Sequence, residues 1–312
     1  MNVTGIHHIT VISSDPQSTY DFYTRVLGLR LVKKSVNQDD PATYHLFFGN
    51  KTGGPGMDLT FFPFQPSRSG KNGPGFVTAT SFAVPVASLE WWQKRFTTEK
   101  VKHQPVIIRF GQKVLPFQDE DGQHLELVEV EQFEPRFEEL LWIQAGIPEK
   151  HAIRCFHSAT LTTQQLEQLQ PLLELLGYVK RSEQDGLSLF ALPDQTNASQ
   201  LLVQLSQETF GHTGAGTVHH IAFTVQDRKE QEWWINRLFS VGLQPTTVID
   251  RYYFTSVYFR TPAGILFELA SEGPGFTADE NLNMLGSELA LPPFLEPQRK
   301  QIEKNLPPLG IT

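Results

Sequence analysis

The pattern of hydrophobic and polar positions repeats along the chain in units of one strand, one helix and three further strands. The first unit opens at Ile6 with an alternating apolar run, IHHITVIS. A helix is predicted over DPQSTYDFYTRVLG, because Asp15 and Pro16 form a typical helix start and Gly28 is a typical stop. Three extended runs follow, LRLVKKSV, TYHLFFGN and MDLTFFPF. Together these elements form a βαβββ module.

The same order of elements returns from Val218. The strand is VHHIAFTV, the helix covers DRKEQEWWINRLFSVG, and the later strands are TTVID, YYFTSVYFR and ILFELA. Two weaker copies begin near Phe76 and near Ile153. Self-similarity of this kind indicates a fold that is built from copied units, so we predict four tandem modules.

The four modules and their spacing predict two domains and a tail, for which 312 residues are sufficient. Modules one and two are expected to form an N-terminal domain over residues 1–140. Modules three and four are expected to form a C-terminal domain over residues 150–275, and a tail over residues 276–312 is expected to pack on them.

The composition argues against several classes of partner. The net charge is −8 and no basic run is longer than VKK or QRKQIEK, so nucleic acid is not an expected partner. No apolar stretch resembles a bilayer-spanning helix, so no membrane association is expected. Cys155 is the single cysteine, and the start MNVTGIHH lacks the features of a secretory signal, which together predict the cytoplasm. A homo-oligomer is compatible with this composition.

Two histidine pairs occupy equivalent places in modules one and four. His8 lies seven residues before Asp15, and His220 lies seven residues before Asp227. In the last strand of module four, Glu268 follows a turn glycine by four residues. If modules one and four face each other, His8, His220 and Glu268 converge. Two imidazoles and one carboxylate form the facial triad that suits non-haem Fe(II) and leaves coordination positions open.

The chain resembles the vicinal oxygen chelate superfamily of glyoxalases, bleomycin resistance proteins and extradiol dioxygenases, and within it the four-module dioxygenases that cleave hydroquinones. The resemblance covers essentially the whole chain and is carried by GIHHIT, FYTRVLGLRLVKKSVNQDDP, VHHIAFTV, FELASEGPGF and LPPFLEPQRKQIEKNLPPL. It implies an α+β fold whose four modules form two domains of curved mixed sheets flanked by helices. It also implies an extradiol-type ring-cleaving enzyme with Fe(II), or alternatively Mn(II), that opens a small hydroquinone or catechol-like diol with O2.

The same resemblance implies roles for four further side chains. Tyr258 would be the acid/base of the pocket, and Arg251 would stabilise developing negative charge. His7 and His219 would lie behind the metal ligands or in the substrate pocket. Because successive side chains of a regular strand point to opposite faces, a bulge or strong twist would be needed to bring His7 and His219 into the pocket.

The hairpin before Glu268 predicts the orientation of Tyr258. A register that places Arg260 near Leu266 sets Tyr258 directly across from Glu268, so that both side chains share a face. Aromatic residues are expected to line the pocket, among them Phe61, Phe62 and Phe64.

Alternatives remain open from the sequence. His157 of module three also aligns with the histidine column, which gives a rival triad of His157, His220 and Glu268; the doubled histidine shared by modules one and four favours His8. A glyoxalase-type isomerase or lyase of the superfamily would use an acid in both modules, whereas module one has Thr60 at the position that is Glu126 in module two. A non-catalytic protein that binds small aromatics would hold no metal.

Overall fold

The computed structural model describes residues 1–193 and 197–311, and it contains the four modules. Module one comprises β1 (Ile6–Ser13), α1 (Pro16–Asp21), β2 (Arg30–Asn37), β3 (Asp40–Gly49) and β4 (Asp58–Pro63). Module two comprises β5 (Phe76–Pro85), α2 (Leu89–Thr98), β6 (Ile107–Arg109), β7 (Gln112–Gln118) and β8 (His124–Val130). Module three comprises β9 (Cys155–Thr163), α4 (Leu166–Leu175), β10 (Val179–Gln184), β11 (Leu187–Ala191) and β12 (Gln200–Leu205). Module four comprises β13 (Thr217–Val225), α5 (Arg228–Ser240), β14 (Ile249–Asp250), β15 (Thr255–Arg260) and β16 (Leu266–Ser271).

Short helical segments complete the chain. A π-helical turn (Phe22–Val26) extends α1, and α3 (Pro135–Glu139) lies with a 3-10 turn (Glu149–His151) between modules two and three. The tail contains three 3-10 turns and one helix: Phe276–Ala278, Leu282–Met284, Glu296–Gln298 and α6 (Arg299–Asn305). Within the two described ranges, no helix combines the length and the apolar character that crossing a bilayer requires.

The strands form two eight-stranded mixed sheets, which confirms the predicted α+β fold. The first sheet has the order β14-β15-β16-β13-β1-β4-β3-β2 and combines modules one and four. The second has the order β10-β11-β12-β9-β5-β8-β7-β6 and combines modules two and three. Each sheet therefore takes one module from each half of the chain, so the predicted halves 1–140 and 150–275 do not correspond to the two sheets. The division into domains at these boundaries stays a prediction.

Equivalent helix starts explain the repeated spacing between histidine and aspartate. Asp15 caps α1, where its carboxylate accepts a hydrogen bond from the backbone N–H of Ser18 at 2.8 Å. Asp227 caps α5 in the same way and accepts from the backbone N–H of Glu230 at 2.9 Å. Such caps satisfy backbone donors that the first helical turn leaves free. The constant spacing therefore marks the same strand-to-helix connection in both modules.

A buried ion-pair cluster holds the tail against β2 and the loop before β15. Lys33 has no exposed surface, and its ammonium group donates to Asp279 Oδ1 at 2.7 Å and to Glu280. The same ammonium lies 4.8 Å from the centre of the Tyr253 ring, and the Tyr253 hydroxyl donates to Asp279 Oδ2 at 2.8 Å. Because Tyr253 also lines the cavity described below, the tail helps to fix one wall of that cavity.

Replacing Lys33 with methionine is expected to lower the free energy of unfolding by about 3 kcal/mol, because it leaves two largely buried carboxylates without their cation. Urea denaturation measures the change. Lys94→Met is the matched control, since Lys94 pairs with Glu90 on the surface of α2 and its loss should barely move the midpoint. Equal shifts in the two variants would contradict a role of Lys33 in anchoring the tail.

Candidate metal centre

Three side chains from three strands of the first sheet meet at one point. His8 lies on β1, His220 on β13 and Glu268 on β16. The two Nε2 atoms are 3.2 Å apart, and Glu268 Oε2 lies 3.2 Å from His8 Nε2 and 2.9 Å from His220 Nε2. All three side chains are buried. The structure thus brings together the three residues that the sequence analysis selected.

Strand register produces this convergence. In the antiparallel pair of β1 and β13, His8 lies opposite Ala222, and Thr10 lies opposite His220. In the parallel pair of β13 and β16, Ala222 in turn lies beside Glu268. The pairing of β1 with β13 therefore brings together two histidines that lie 212 residues apart in the sequence.

The distances fit three ligands on one face of an octahedral metal ion. Ligand atoms about 2.1 Å from a metal at adjacent octahedral corners lie about 3.0 Å from one another. Glu268 has no exposed surface, and its Oε1 has no hydrogen-bond partner in residues 1–193 and 197–311. A buried carboxylate without such partners is costly, and a divalent cation would stabilise it. Over those same ranges, no further His, Cys, Asp or Glu joins the cluster.

The doubled histidines fix the orientation of the two imidazoles. The His7 Nε2 lies 3.1 Å from the carbonyl oxygen of Ser271, which can only accept, so this nitrogen carries the proton. Burial, with His8 nearby, lowers the pKa of His7 to about 3, so its Nδ1 is an acceptor. His8 Nδ1 then donates to His7 Nδ1 at 2.9 Å, so that Nε2 faces the centre and its lone pair would point to a metal once His8 has lost its second proton. His219 and His220 repeat the contact between Nδ1 atoms at 2.8 Å.

The two pairing histidines lie in different surroundings. The register of β1 against β13 shifts between Ile6 and His8, and again where the partners of Thr10 and Val11 are His220 and Val218, so His7 and His219 both lie at bulges. His7 nevertheless lines a separate cavity of about 140 Å³ and not the cavity that His8 and His220 line. His219 does line the latter cavity.

Without a metal, the centre stabilises a charged pair. Burial alone would raise the pKa of the Glu268 carboxyl, but His8 and His220 outweigh it and hold that pKa well below its usual range. Burial also opposes a charge on His8, yet the Glu268 carboxylate raises the pKa of His8 above its ordinary 6.5. Burial lowers the pKa of His220. The proton of the metal-free centre therefore resides on His8.

Metal affinity is expected to fall as the pH falls through the raised pKa of His8. A nitrogen must lose its proton before it can bind a metal, so metal and proton compete for His8 Nε2. Because the metal-free protein carries this proton at pH values above 6.5, the loss of affinity should begin above pH 6.5 and reach about tenfold per pH unit. Chelator competition under argon at several pH values measures this slope. A flat profile would contradict the competition.

His8 and His220 line a cavity of about 360 Å³. Aromatic and aliphatic side chains form one part of its wall: Val36, Phe47, Phe62, Phe64, Tyr253, Phe254, Tyr258 and Leu266. The polar side chains are Ser35, Asn37, Gln38, Asp39, His45, His219 and Arg251. The prediction that Phe62 and Phe64 line a pocket is confirmed. The prediction for Phe61 is wrong, because its neighbour Phe62 takes the cavity-facing position of β4 and Phe61 points to the opposite face, into the core.

Tyr258 and Arg251 form a polar group in this cavity. The predicted register is confirmed, since Tyr258 lies opposite Glu268 and Arg260 opposite Leu266. The Arg251 Nε donates to the Tyr258 hydroxyl at 3.3 Å, while the rest of the guanidinium binds the carboxylate of Asp39 at 3.0 and 3.3 Å. Burial, with Glu268 nearby, raises the pKa of Tyr258, so its phenol is protonated at neutral pH.

A second polar group lies on the module-one side, and its member His45 was missed by the sequence analysis. Thr60 lies beside Thr10 in the parallel pair of β1 and β4, and their hydroxyls are 2.8 Å apart. The Thr10 hydroxyl lies 3.0 Å from His220 Nε2, and the Thr60 hydroxyl lies 3.0 Å from His45 Nε2. His45 lines the cavity. The alternation of TYHLFFGN could have indicated its face, but only the sheet order brings β3 to this cavity.

His157, the rival ligand, lies in the second sheet on β9. It borders a small cavity together with Arg109 and Glu126, and its Nδ1 contacts the Ser158 hydroxyl at 3.0 Å. The Arg109 guanidinium binds both oxygens of Glu126 at 2.8 Å. In modules two and three, a guanidinium thus neutralises the carboxylate that corresponds to Glu268.

Comparison with known proteins agrees with this architecture. The family model described as "Glyoxalase/Bleomycin resistance protein/Dioxygenase superfamily" matches residues 5–127 and 173–269. The chain belongs to this superfamily. The superfamily that was predicted from the sequence is thereby confirmed.

Relatives within the superfamily match the chain along almost its whole length. One is 42% identical over 98% of this chain and 97% of its own, and is named "Putative ring-cleaving dioxygenase MhqO" from Bacillus subtilis. Another, "Chlorohydroquinone/hydroquinone 1,2-dioxygenase" from Sphingobium indicum, is 37% identical over 97% of this chain and 96% of its own. A crystal structure of a Bacillus subtilis protein titled "putative dioxygenase" has a TM-score of 0.94 at 40% identity and covers 100% of this chain and 99% of that one. Maize glyoxalase I shares the fold, with a TM-score of 0.61 at 16% identity over 86% of this chain and 92% of that one.

Proposed function

We propose that this protein is a ring-cleaving dioxygenase that opens a hydroquinone with O2 and uses Fe(II) held by His8, His220 and Glu268. The observation that carries the proposal is the cluster of His8, His220 and Glu268, whose two histidines line a cavity of about 360 Å³ with many aromatic side chains. Two imidazoles and one carboxylate are the donor set of non-haem Fe(II) oxygenases, although Mn(II) also accepts such ligands. The name of the Sphingobium indicum relative supports a hydroquinone as the substrate.

When bound, the metal would lower the pKa of a coordinated phenol and provide neighbouring positions for the phenolate and O2. His7 and His219 would act as positioning residues, because their Nδ1 atoms hold the two ligand imidazoles with Nε2 facing the centre. The Phe47 and Phe62 side chains would pack against the substrate ring and exclude water.

Tyr258 and Arg251 would handle protons and charge beside the centre. Because Arg251 donates to the phenolic oxygen of Tyr258, the proton of Tyr258 is free to be donated into the cavity. Tyr258 lies opposite Glu268, so it would donate its proton beside the proposed metal ligands. The guanidinium would stabilise negative charge that develops on a substrate oxygen, while Asp39 keeps Arg251 in place.

The module-one residue that corresponds to Glu268 favours this proposal over a glyoxalase-type isomerase. Glu268 has its counterpart in Thr60, and the Thr60 hydroxyl pairs with the Thr10 hydroxyl. With three ligands, more positions remain for substrate and O2 than with four.

Oxygen uptake by protein that is loaded with iron under argon tests the proposal. We expect uptake with hydroquinone and methylhydroquinone, and slower uptake with catechol. A glutathione hemithioacetal should not be converted. Turnover of the hemithioacetal without oxygen uptake would support an isomerase instead, and protein that binds the diols but retains no metal would support a binding protein.

A further inference from the structure

We propose that His45, oriented by Thr60, forms a subsite for the hydroxyl group of the diol that does not bind the metal. The inference rests on the proposed function and extends it, because a para-diol cannot place both hydroxyls on one metal ion. Its rigid ring directs the second hydroxyl away from the centre. A polar partner for that hydroxyl must therefore lie farther along the cavity wall.

In the metal-free protein, His45 is connected to the centre by three successive hydrogen bonds, of which a metal on His220 Nε2 would replace the third. The first joins His45 Nε2 to the Thr60 hydroxyl at 3.0 Å, and the second joins the Thr60 and Thr10 hydroxyls at 2.8 Å. The third joins the Thr10 hydroxyl to His220 Nε2 at 3.0 Å. His45 therefore lies near the centre without reaching it, which is the position that a non-ligating substrate oxygen requires.

The two halves of the first sheet explain how this subsite arose. On the module-four side, Tyr258 pairs with Glu268, whereas at the corresponding place of module one Phe47 pairs with Thr60. The Thr60 side chain is too short to reach a metal at the position that Glu268 would ligate. The space beside it is filled by His45, which lies two residues before Phe47 on the same face of β3.

The surroundings of His45 leave one ring nitrogen available. The ring packs between Phe47, with centroids 3.8 Å apart, and Phe62, with centroids 4.4 Å apart. Thr60 occupies Nε2, and no hydrogen bond is found for Nδ1 in the described part of the chain. His45 is half-buried, so a ring nitrogen without a partner in the protein gains from a polar ligand atom, and a phenolic hydroxyl can either donate to it or accept from it.

The groups on the module-four side are less suitable for the distal hydroxyl. Arg251 is already bound to Asp39 and to the Tyr258 hydroxyl. Tyr258 lies directly opposite Glu268 and is therefore next to the ligating end of the substrate. His45 would thus bind the distal hydroxyl of the diol, while Tyr258 and Arg251 would lie beside the hydroxyl that binds the metal.

Binding measurements without turnover test the subsite. Protein loaded with iron under argon is titrated calorimetrically with hydroquinone and with 4-methylphenol, which has a methyl group in place of the distal hydroxyl. In the unmodified protein, hydroquinone should bind about tenfold more tightly than 4-methylphenol, the effect of about one hydrogen bond. In His45→Phe this ratio should approach one while the affinity for 4-methylphenol and the iron content are retained. His45→Asn, which keeps a polar atom near the position of Nδ1, should restore much of the ratio.

Further variants separate the outcomes. Thr60→Val removes the hydroxyl that orients His45 and should lower the ratio without loss of iron, which provides a second measurement if His45→Phe does not fold. His103→Phe is the matched control and should leave both affinities unchanged, because His103 forms a bridge to Phe117 of β7 and lines a different cavity. An unchanged ratio in His45→Phe, or equal weakening of both ligands, would overturn the subsite while leaving ring cleavage intact. If the iron-loaded unmodified protein binds neither ligand, the proposed function and the subsite fail together.

Discussion

Iron content is expected to fall to background in a His8→Ala variant, and ring cleavage is expected to fall with it. His8 Nε2 lies 3.2 Å from both His220 Nε2 and Glu268 Oε2, so its removal leaves two of three ligands. Loss of a group that only orients a ligand typically reduces metal affinity by about 10–100-fold, and loss of a ligand itself should exceed this. Elemental analysis of protein purified without air measures the iron, and oxygen uptake with hydroquinone measures the activity.

His157→Ala is the matched control for this experiment, because His157 is the rival ligand of the sequence analysis. It lies on β9 in the second sheet, beside the Arg109–Glu126 pair. The variant should therefore retain iron and activity. Retention of iron by His8→Ala together with its loss from His157→Ala would reverse the ligand assignment.

The repeated modules and the residues of the centre were accessible from the sequence for a physical reason. Strand alternation and helix caps are local, so equivalent modules preserve the distance from His8 to Asp15 and from His220 to Asp227. The position of Tyr258 opposite Glu268 follows from a short hairpin and was predicted for the same reason.

Features that depend on contacts between distant modules could not be predicted in the same way. No local pattern shows that β3 lies near the centre, so His45 was missed. Alternation alone suggests that His7 faces away from His8, but its hydrogen bonds to His8 and to the Ser271 carbonyl depend on the bulge and on β16. The buried Lys33 and its partners in the tail likewise belong to distant segments. The cytoplasmic location and a homo-oligomer stay predictions.

Tyr258→Phe is expected to lower kcat by about 100- to 1,000-fold while iron content and KM change little. The variant keeps the ring that packs 5.6 Å from the His220 ring but removes the only proton that Tyr258 can donate. Since a lost proton donor acts on the transition state and barely on the bound substrate, the effect should appear in kcat. Steady-state oxygen uptake with hydroquinone separates the two constants.

Tyr178→Phe is the matched control for Tyr258→Phe, because Tyr178 is a buried tyrosine of module three whose hydroxyl has no hydrogen-bond partner in the described ranges. Its removal should leave kcat unchanged. A rise in KM at constant kcat in Tyr258→Phe would assign Tyr258 to substrate binding. Loss of iron in that variant would instead show that the hydroxyl supports the metal centre through its neighbour Glu268. Arg251, which contacts the Tyr258 hydroxyl, would then be the remaining group that can stabilise developing negative charge.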